Sequence, residues 1–184
     1  MSLTPSNMLP LGTLAPAFNL FDTITSQNLS LIDLQGENGT LVMFICNHCP
    51  YVVHVNKELV QLAHDYQKKG IGFIAISSND VINYPQDAPE NMKKTALENN
   101  YPFPYLYDET QEVAKAYDAA CTPDFYLFDS ELELVYRGQL DDSRPGNNIV
   151  LTGKDLRTAL NGLLSNSPIS STQKPSMGCN IKWK

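Results

Sequence analysis

Two cysteines, Cys46 and Cys49, stand between an apolar run and an amphipathic segment. The run, residues 41–45, is typical of a buried strand, and the apolar side chains after the pair recur at helical spacing. Those side chains are Val52, Val55, Leu59, Leu62, Ala63 and Tyr66. At a strand-to-helix junction, unpaired backbone N–H groups and the helix dipole favour a thiolate over a thiol. The arrangement therefore predicts a reactive cysteine at the helix start, with Cys46 as the candidate.

The same pattern continues into a parallel βαβ unit. Gly70 is expected to end the helix, and residues 71–77 form a second buried run. Strand, helix and strand at this spacing favour two parallel strands joined by a crossover helix. Alternating runs at residues 18–21 and 29–32 predict a hairpin before this unit.

Two further elements are predicted in the second half of the chain. Runs at residues 124–128 and 132–136 predict another hairpin. Thr152 and Asp155 have the spacing of a capping box, which would begin a last helix at Thr152. Asp141 lies in a charged turn between these elements, which we interpret as a solvated loop.

The composition excludes several classes of function. The chain has 184 residues, 42% of them apolar, and a formal charge of −7 without a basic cluster, so nucleic acid is not an expected partner. Residues 1–7 lack the charged and apolar regions of a signal peptide, and no apolar run reaches the roughly 20 residues that span a bilayer. A cytoplasmic location without membrane attachment is predicted. Thiols stay reduced there, which argues against structural disulfides.

The Cys-x-x-Cys spacing has three interpretations. A zinc site needs two more ligands, but Cys121 and Cys179 are far apart in sequence, and His48 is badly placed within the loop. Two inert buried thiols are the second interpretation. The position at a helix start within a βαβ unit favours the third, a redox dithiol. Neither a metal nor a cofactor is then expected.

A redox dithiol acts by thiol–disulfide exchange. The Cys46 thiolate attacks a substrate disulfide, and Cys49 resolves the mixed disulfide to leave a Cys46–Cys49 bond; the reverse direction oxidises a dithiol. His48, when protonated, would lower the pKa of Cys46, unless it is an exposed turn residue with little influence. Pro50 is expected in the first helical turn, where its missing N–H costs little.

A second segment, Cys121-Thr122-Pro123 at a strand start, joins residues 46–50 in carrying a family resemblance. The chain resembles the thioredoxin superfamily, and within it the peroxiredoxin-like branch of the alkyl hydroperoxide reductase/thiol-specific antioxidant group. The resemblance implies an α/β thioredoxin-like fold, with a central mixed sheet flanked by helices and an added N-terminal β-hairpin. It divides the chain into an extension (1–13), the thioredoxin-like domain (14–164) and a C-terminal tail (165–184) that is expected to dock.

The resemblance also implies a substrate-binding role for the second segment. The Thr122–Pro123 bond would be cis and would face the dithiol. The exposed backbone of Thr122 would then pair with a substrate in β fashion. Without the resemblance, Pro123 is only a proline at a strand start.

Two features of the related proteins are missing from this sequence. Peroxidases of the group carry Pro-x-x-x-Thr-x-x-Cys, and counting back from Cys49 or Cys46 places Cys46 or Met43 at the threonine. Thr40 stands where a thioredoxin has its buried carboxylate. A peroxidase that uses the family's machinery is therefore disfavoured, and the proton acceptor for Cys49 is unassigned.

The other two cysteines leave alternatives open. Cys121 is expected near the Cys46 sulfur, where it either forms an alternative disulfide or packs. Cys179 lies in a polar tail whose few apolar residues favour docking onto the body. It is a third redox partner if the tail crosses the active site, and a surface cysteine if it does not.

We therefore predict a thiol–disulfide oxidoreductase that uses Cys46 and Cys49 on a protein or small-molecule disulfide or dithiol. The reductant is not identified by the sequence. Two alternatives remain: a thiol-dependent peroxidase without the usual Thr and Arg, and a redox-sensing or binding protein without turnover. Neither nucleic acid nor a membrane is an expected partner.

Overall fold

The computed structural model describes residues 3–184, in which ten strands form two sheets with five helices around them. The strands are β1 (Leu3–Pro5), β2 (Asn19–Asp22), β3 (Gln27–Ser30), β4 (Gly39–Phe44), β5 (Ile71–Ser77), β6 (Tyr105–Tyr107), β7 (Cys121–Thr122), β8 (Asp124–Phe128), β9 (Leu134–Gly138) and β10 (Met177–Asn180). The helices are α1 (Leu31–Leu34), α2 (Pro50–Tyr66), α3 (Pro89–Glu98), α4 (Glu112–Ala116) and α5 (Lys154–Leu164).

The larger sheet is mixed and contains the predicted βαβ unit. Its seven strands have the order β3-β2-β6-β5-β4-β8-β9. β4 is parallel to β5 and β5 to β6, whereas the other pairs are antiparallel. Every residue of β4 is buried because both faces of the sheet are covered. Leu41 and Met43 share a core cluster with α2, and Val42 and Phe44 share the other cluster with α4.

The N-terminal hairpin is confirmed, with β2 antiparallel to β3. The sequence predicts that its second run extends to residue 32, but the chain leaves the sheet at Ser30 and forms α1. Ser30 and Asp33 make a capping box, in which the Asp33 carboxylate accepts the Ser30 N–H at 2.9 Å. This local bonding ends the strand.

The last helix begins later than the sequence predicts. Thr152 does not cap it, because α5 starts at Lys154 with Gly153 as the N-cap residue. Asp141 explains the difference, since its Oδ2 accepts the backbone N–H groups of Thr152 and Gly153 at 2.7 Å each. Asp141 is accordingly buried, and the interpretation of a solvated loop is wrong.

A smaller sheet joins the two ends of the chain. β10 pairs antiparallel with β1 on one side and with β7 on the other. The predicted tail, residues 165–184, thus contributes a strand to the fold, although the three-part division of the chain stays a prediction. Among residues 3–184, no helix has both the length and the apolar character needed to cross a membrane.

Candidate redox site

The strand-to-helix junction holds both cysteines of the predicted dithiol in buried positions. Cys46 is 2% exposed and Cys49 is 0% exposed. Cys49 is the N-cap residue of α2, and Pro50 is the first residue of the helix, as expected. The prediction that Cys46 stands at the helix start is wrong. Cys46 lies in the turn that follows β4, and Cys49 lies beside the free N–H groups at the start of α2.

The pKa values of the two thiols are shifted in opposite directions. The bond from the Cys46 thiol is the largest cause that lowers the pKa of Cys49 to about 5, and it outweighs burial. Contacts with Cys179 Sγ, at 2.8 Å, and with the N–H of Val52 also lower this pKa. The bond to Cys49, burial and the charge of Asp87 raise the pKa of Cys46 well above its usual value. The directions of these shifts favour Cys49 as the more acidic thiol of the pair, whereas the sequence predicts Cys46.

Thr122 and Pro123 form the wall opposite the dithiol. The bond between them is cis, as the resemblance implies. The Thr122 hydroxyl oxygen is 3.3 Å from Cys46 Sγ, and the Thr122 carbonyl oxygen is 3.2 Å from Cys49 Sγ. One residue thus contacts both sulfurs and fixes their relative position.

The backbone of Thr122 is already paired, whereas the prediction has it open to a substrate. β10 lies antiparallel to β7 with Cys179 opposite Thr122. Cys179 is 4% exposed, and its Sγ lies 2.8 Å from Cys49 Sγ. The tail therefore crosses the site, and the alternative of a surface cysteine is wrong.

Cys121 turns away from this group of sulfurs. Its Sγ points to the carbonyl oxygen of Pro123 at 3.7 Å, and burial is the largest cause that raises its pKa. Side chains alternate along a strand, so Thr122 faces the dithiol while Cys121 faces the other way. The contacts favour packing over an alternative disulfide with Cys46.

His48 is held by two residues that the sequence does not single out. Its Nδ1 lies 2.7 Å from Oδ2 of Asp87, and its ring stacks on Tyr84 with centroids 5.8 Å apart and planes 9° apart. The Asp87 carboxylate is fully buried and also accepts the N–H of Asn47 at 2.8 Å. Burial alone would raise the pKa of Asp87, but the bonds from His48 and Asn79 lower it. His48 is therefore a fixed part of the site and not an exposed turn residue.

Replacing Asp87 by asparagine should lower the pKa of Cys46, because the Asp87 charge is one of the causes that raise it. In a Cys49→Ser background, we expect alkylation of Cys46 at neutral pH to become about 3- to 10-fold faster. Timed treatment with iodoacetamide and peptide mass spectrometry measure this rate. Glu90→Gln, an exposed acid on α3, is the control. An unchanged or slower rate in the Asp87 variant would contradict this electrostatic role.

Cys46, His48 and Asp87 form a group that could hold a metal. One ligand atom of each lies within 4.8 Å of the other two. The argument that His48 is badly placed to share a metal is therefore wrong, because Asp87 holds the imidazole near Cys46. Sulfur, nitrogen and oxygen donors suit zinc, but a closed structural zinc site takes four ligands and this group supplies three. A site without metal stays a prediction.

A buried carboxylate lies on the strand next to β4. Asp124 of β8 pairs in register with Phe44 and is fully buried. Its Oδ1 accepts the Ser6 hydroxyl at 2.8 Å, and its Oδ2 accepts the Tyr126 hydroxyl at 3.0 Å. Burial raises the pKa of Asp124 to about 7 against the effect of these bonds. The chain thus has a buried acid at Asp124 and not at Thr40. In the sequence, only the position of Asp124 directly after Pro123 could have indicated this acid.

A sequence profile of the AhpC/TSA family matches residues 11–137, which is more than half of the chain. This chain belongs to the AhpC/TSA family. The resemblance drawn from residues 46–50 and 121–123 is thereby confirmed at the level of the family. Among proteins with curated descriptions, none matches this AhpC/TSA-family chain significantly.

Solved structures of two proteins match this AhpC/TSA-family chain over nearly its whole length. An uncharacterized conserved protein from Geobacillus kaustophilus is 61% identical, with a TM-score of 0.98 over 100% of this chain and 97% of that one. A hypothetical protein from Sinorhizobium meliloti is 45% identical, with a TM-score of 0.95 over 98% of both chains. The thioredoxin domain of a thiol-disulfide oxidoreductase from Bacteroides vulgatus is 22% identical, with a TM-score of 0.60 over 74% of this chain and 90% of that one. The last match confirms the thioredoxin-like fold.

Proposed function

We propose that this AhpC/TSA-family protein is a thiol–disulfide oxidoreductase in which Cys46 and Cys49 exchange a disulfide with a protein or small-molecule substrate. The observation that carries the proposal is the convergence of both sulfurs on Thr122, at 3.3 and 3.2 Å, beside a helix N-terminus. Family membership and the thioredoxin-like fold support a redox protein of this general type.

Cys46 is the proposed nucleophile, with Cys49 as its base. The pKa shifts support this assignment, because the pKa of Cys49 is lowered and that of Cys46 is raised. As Cys46 Sγ attacks one sulfur of the substrate disulfide, its proton passes to Cys49. A bond forms between Cys46 and the substrate, the substrate disulfide breaks, and its second sulfur leaves as a thiolate. Cys46 therefore needs no low pKa of its own.

The second step closes the internal disulfide. The departing thiolate takes the proton from Cys49, so the substrate itself is the proton acceptor that the sequence left unassigned. Cys49 then attacks Cys46 Sγ, the Cys46–Cys49 bond forms, and the second product leaves as a thiolate. The substrate gains two electrons and the dithiol loses two. A reductant of unknown identity restores the dithiol by the same exchange.

The remaining predicted site residues position this pair. The Thr122 hydroxyl orients Cys46, and Pro123 follows directly in the same wall of the site. Pro50 starts α2 so that its free N–H groups face Cys49. A protonated His48 would offset the charge of Asp87 beside Cys46. Among residues 3–184, no contact favours the peroxidase or the sensor without turnover over this assignment.

Redox titration of the full chain tests the proposal. In glutathione buffers of increasing oxidised fraction, followed by acid quenching, alkylation and peptide mapping, we expect a Cys46–Cys49 disulfide that dithiothreitol removes. A midpoint near about −270 mV would indicate a reductant, and one near about −120 mV an oxidant. The proposal fails if both thiols remain free at every glutathione ratio. Cys121 is the internal control, because it should stay alkylatable throughout.

A further inference from the structure

The C-terminal strand occupies the edge at which a thioredoxin-like protein would bind an extended substrate. β10 pairs antiparallel with β7, opposite Thr122 and immediately before the cis bond. Gly178 permits this close approach, since a Cβ there would overlap the carbonyl oxygen of Thr122. The strand therefore sits in the site as a substrate would, with Cys179 beside the dithiol.

Both ends of β10 are anchored. Before it, the Ser176 hydroxyl donates to the carbonyl oxygen of Pro123 at 2.6 Å. After it, the N–H of Lys182 donates to Oδ1 of Asn79 at 2.8 Å, and the Gln111 amide donates to the Lys182 carbonyl oxygen at 2.8 Å. Because both flanks are fixed, the distance of 2.8 Å between the Cys49 and Cys179 sulfurs is a feature of the folded chain. This proximity makes their reaction effectively unimolecular.

We propose that Cys179 is a third redox cysteine, which converts the Cys46–Cys49 disulfide into a Cys49–Cys179 disulfide. The inference rests on the proposed function, because Cys46 and Cys49 must first be oxidised by a substrate. Cys179 Sγ attacks Cys49 Sγ, the Cys49–Cys179 bond forms, and the Cys46–Cys49 bond breaks. The proton of Cys179 passes to the departing Cys46 sulfur. No external oxidant or reductant takes part, since one disulfide is exchanged for another.

This exchange regulates the site as well. In the Cys49–Cys179 form, β10 is bonded covalently to the edge that a substrate would occupy, and Cys46 is a single thiol without its resolving partner. Burial is the largest cause that raises the pKa of Cys179 to about 12, and the hydrogen bond with Cys49 adds to it. That second cause disappears once Cys49 is in a disulfide, so oxidation of the dithiol favours the attack by Cys179.

Full-length Cys46→Ser isolates the proposed pair. After oxidation with oxidised glutathione, acid quenching and alkylation, peptide mapping should find a Cys49–Cys179 disulfide in most molecules. Cys46→Ser/Cys121→Ser is the matched control and should give the same yield. If Cys49 is instead glutathionylated or free while Cys179 is alkylated, the inference is overturned.

Gly178→Ala tests the strand without changing a cysteine. In the Cys46→Ser background it should lower the yield of the Cys49–Cys179 disulfide by at least about fivefold, because the added methyl group displaces β10 from Thr122. Gly162→Ala adds a methyl group within α5, where the nearest atom belongs to the flexible Ile169 side chain at 3.1 Å, and should leave the yield unchanged. An equal yield in both alanine variants would overturn the role of strand pairing.

Titrating Cys179→Ser beside the wild type separates this inference from the proposed function. Absence of any Cys46–Cys49 disulfide in Cys179→Ser, which cannot pass the disulfide on, overturns the proposed function. Its presence, without a disulfide of Cys179 in either the wild type or Cys46→Ser, overturns this inference alone.

Discussion

Replacing Cys46 or Cys49 by serine is expected to lower the rate of insulin reduction with dithiothreitol by at least about 1000-fold relative to the wild type. A serine hydroxyl neither ionises in this range nor forms a disulfide, so either change removes one of the two exchange steps. The turbidity of precipitating insulin chains measures the rate. Cys121→Ser, which changes another buried cysteine whose sulfur points away from the dithiol, is the control and should stay within about twofold.

The two variants should differ in what they trap. Cys49→Ser keeps the nucleophile but not the resolving thiol, so a mixed disulfide between Cys46 and the substrate should accumulate and be visible as an intact mass adduct. Cys46→Ser should trap no substrate. If that variant instead formed an adduct on Cys49 and reduced insulin rapidly, the roles of the two cysteines would be the reverse of those proposed. Unchanged rates in both variants would refute the oxidoreductase proposal.

The helices and strands that depend on neighbouring residues could be predicted from the sequence. The strand–cysteine–helix junction and the parallel strand after Gly70 are where the pattern places them. Buried strands and amphipathic helices impose their periods on adjacent residues, so a short window is enough to detect them. The cis bond at Pro123 followed from the family resemblance instead.

Contacts between distant segments could not be predicted in this way. Cys179 is separated from Cys49 by 130 positions, and Ser6 from Asp124 by 118. No local pattern records such a pairing, because it is created by the order of the strands. The apolar residues of the tail indicated that it docks, but not where.

The pKa values of the two cysteines depend on the exact residue at which α2 begins. The helix follows the two cysteines as predicted, yet it begins one residue after Cys49 and not at Cys46. The second cysteine therefore lies beside the N–H of Val52, and contacts with Cys46, Cys179 and that N–H lower its pKa. Of these three contacts, the one with Cys179 comes from a distant segment and could be learned only from the folded chain.

The contribution of Asp124 to the stability of the folded chain should fall as the pH rises from about 4 to about 8, and Asp124→Asn should remove this contribution. Burial raises the pKa of Asp124 to about 7 in the folded chain, against an ordinary value of 3.8. Between these values the folded state holds a proton that the unfolded state has released, so the contribution is complete below about pH 4 and is lost as the pH rises through about 7. At about 1.4 kcal/mol per unit of pKa difference, the loss is on the order of 4 kcal/mol.

Urea unfolding at a series of pH values measures this effect. The free energy of unfolding of Asp124→Asn minus that of the wild type should increase by about 3 to 4 kcal/mol between about pH 4 and about pH 8. Ser6→Ala is the matched variant, because the Ser6 hydroxyl bond lowers the pKa of Asp124. Removing this hydrogen bond should shift the pH midpoint of the contribution of Asp124 to the free energy of unfolding upward. A difference between Asp124→Asn and the wild type that is independent of pH would mean that Asp124 is already ionised in the folded chain. The Ser6 and Tyr126 hydroxyls would then offset the cost of burying its charge.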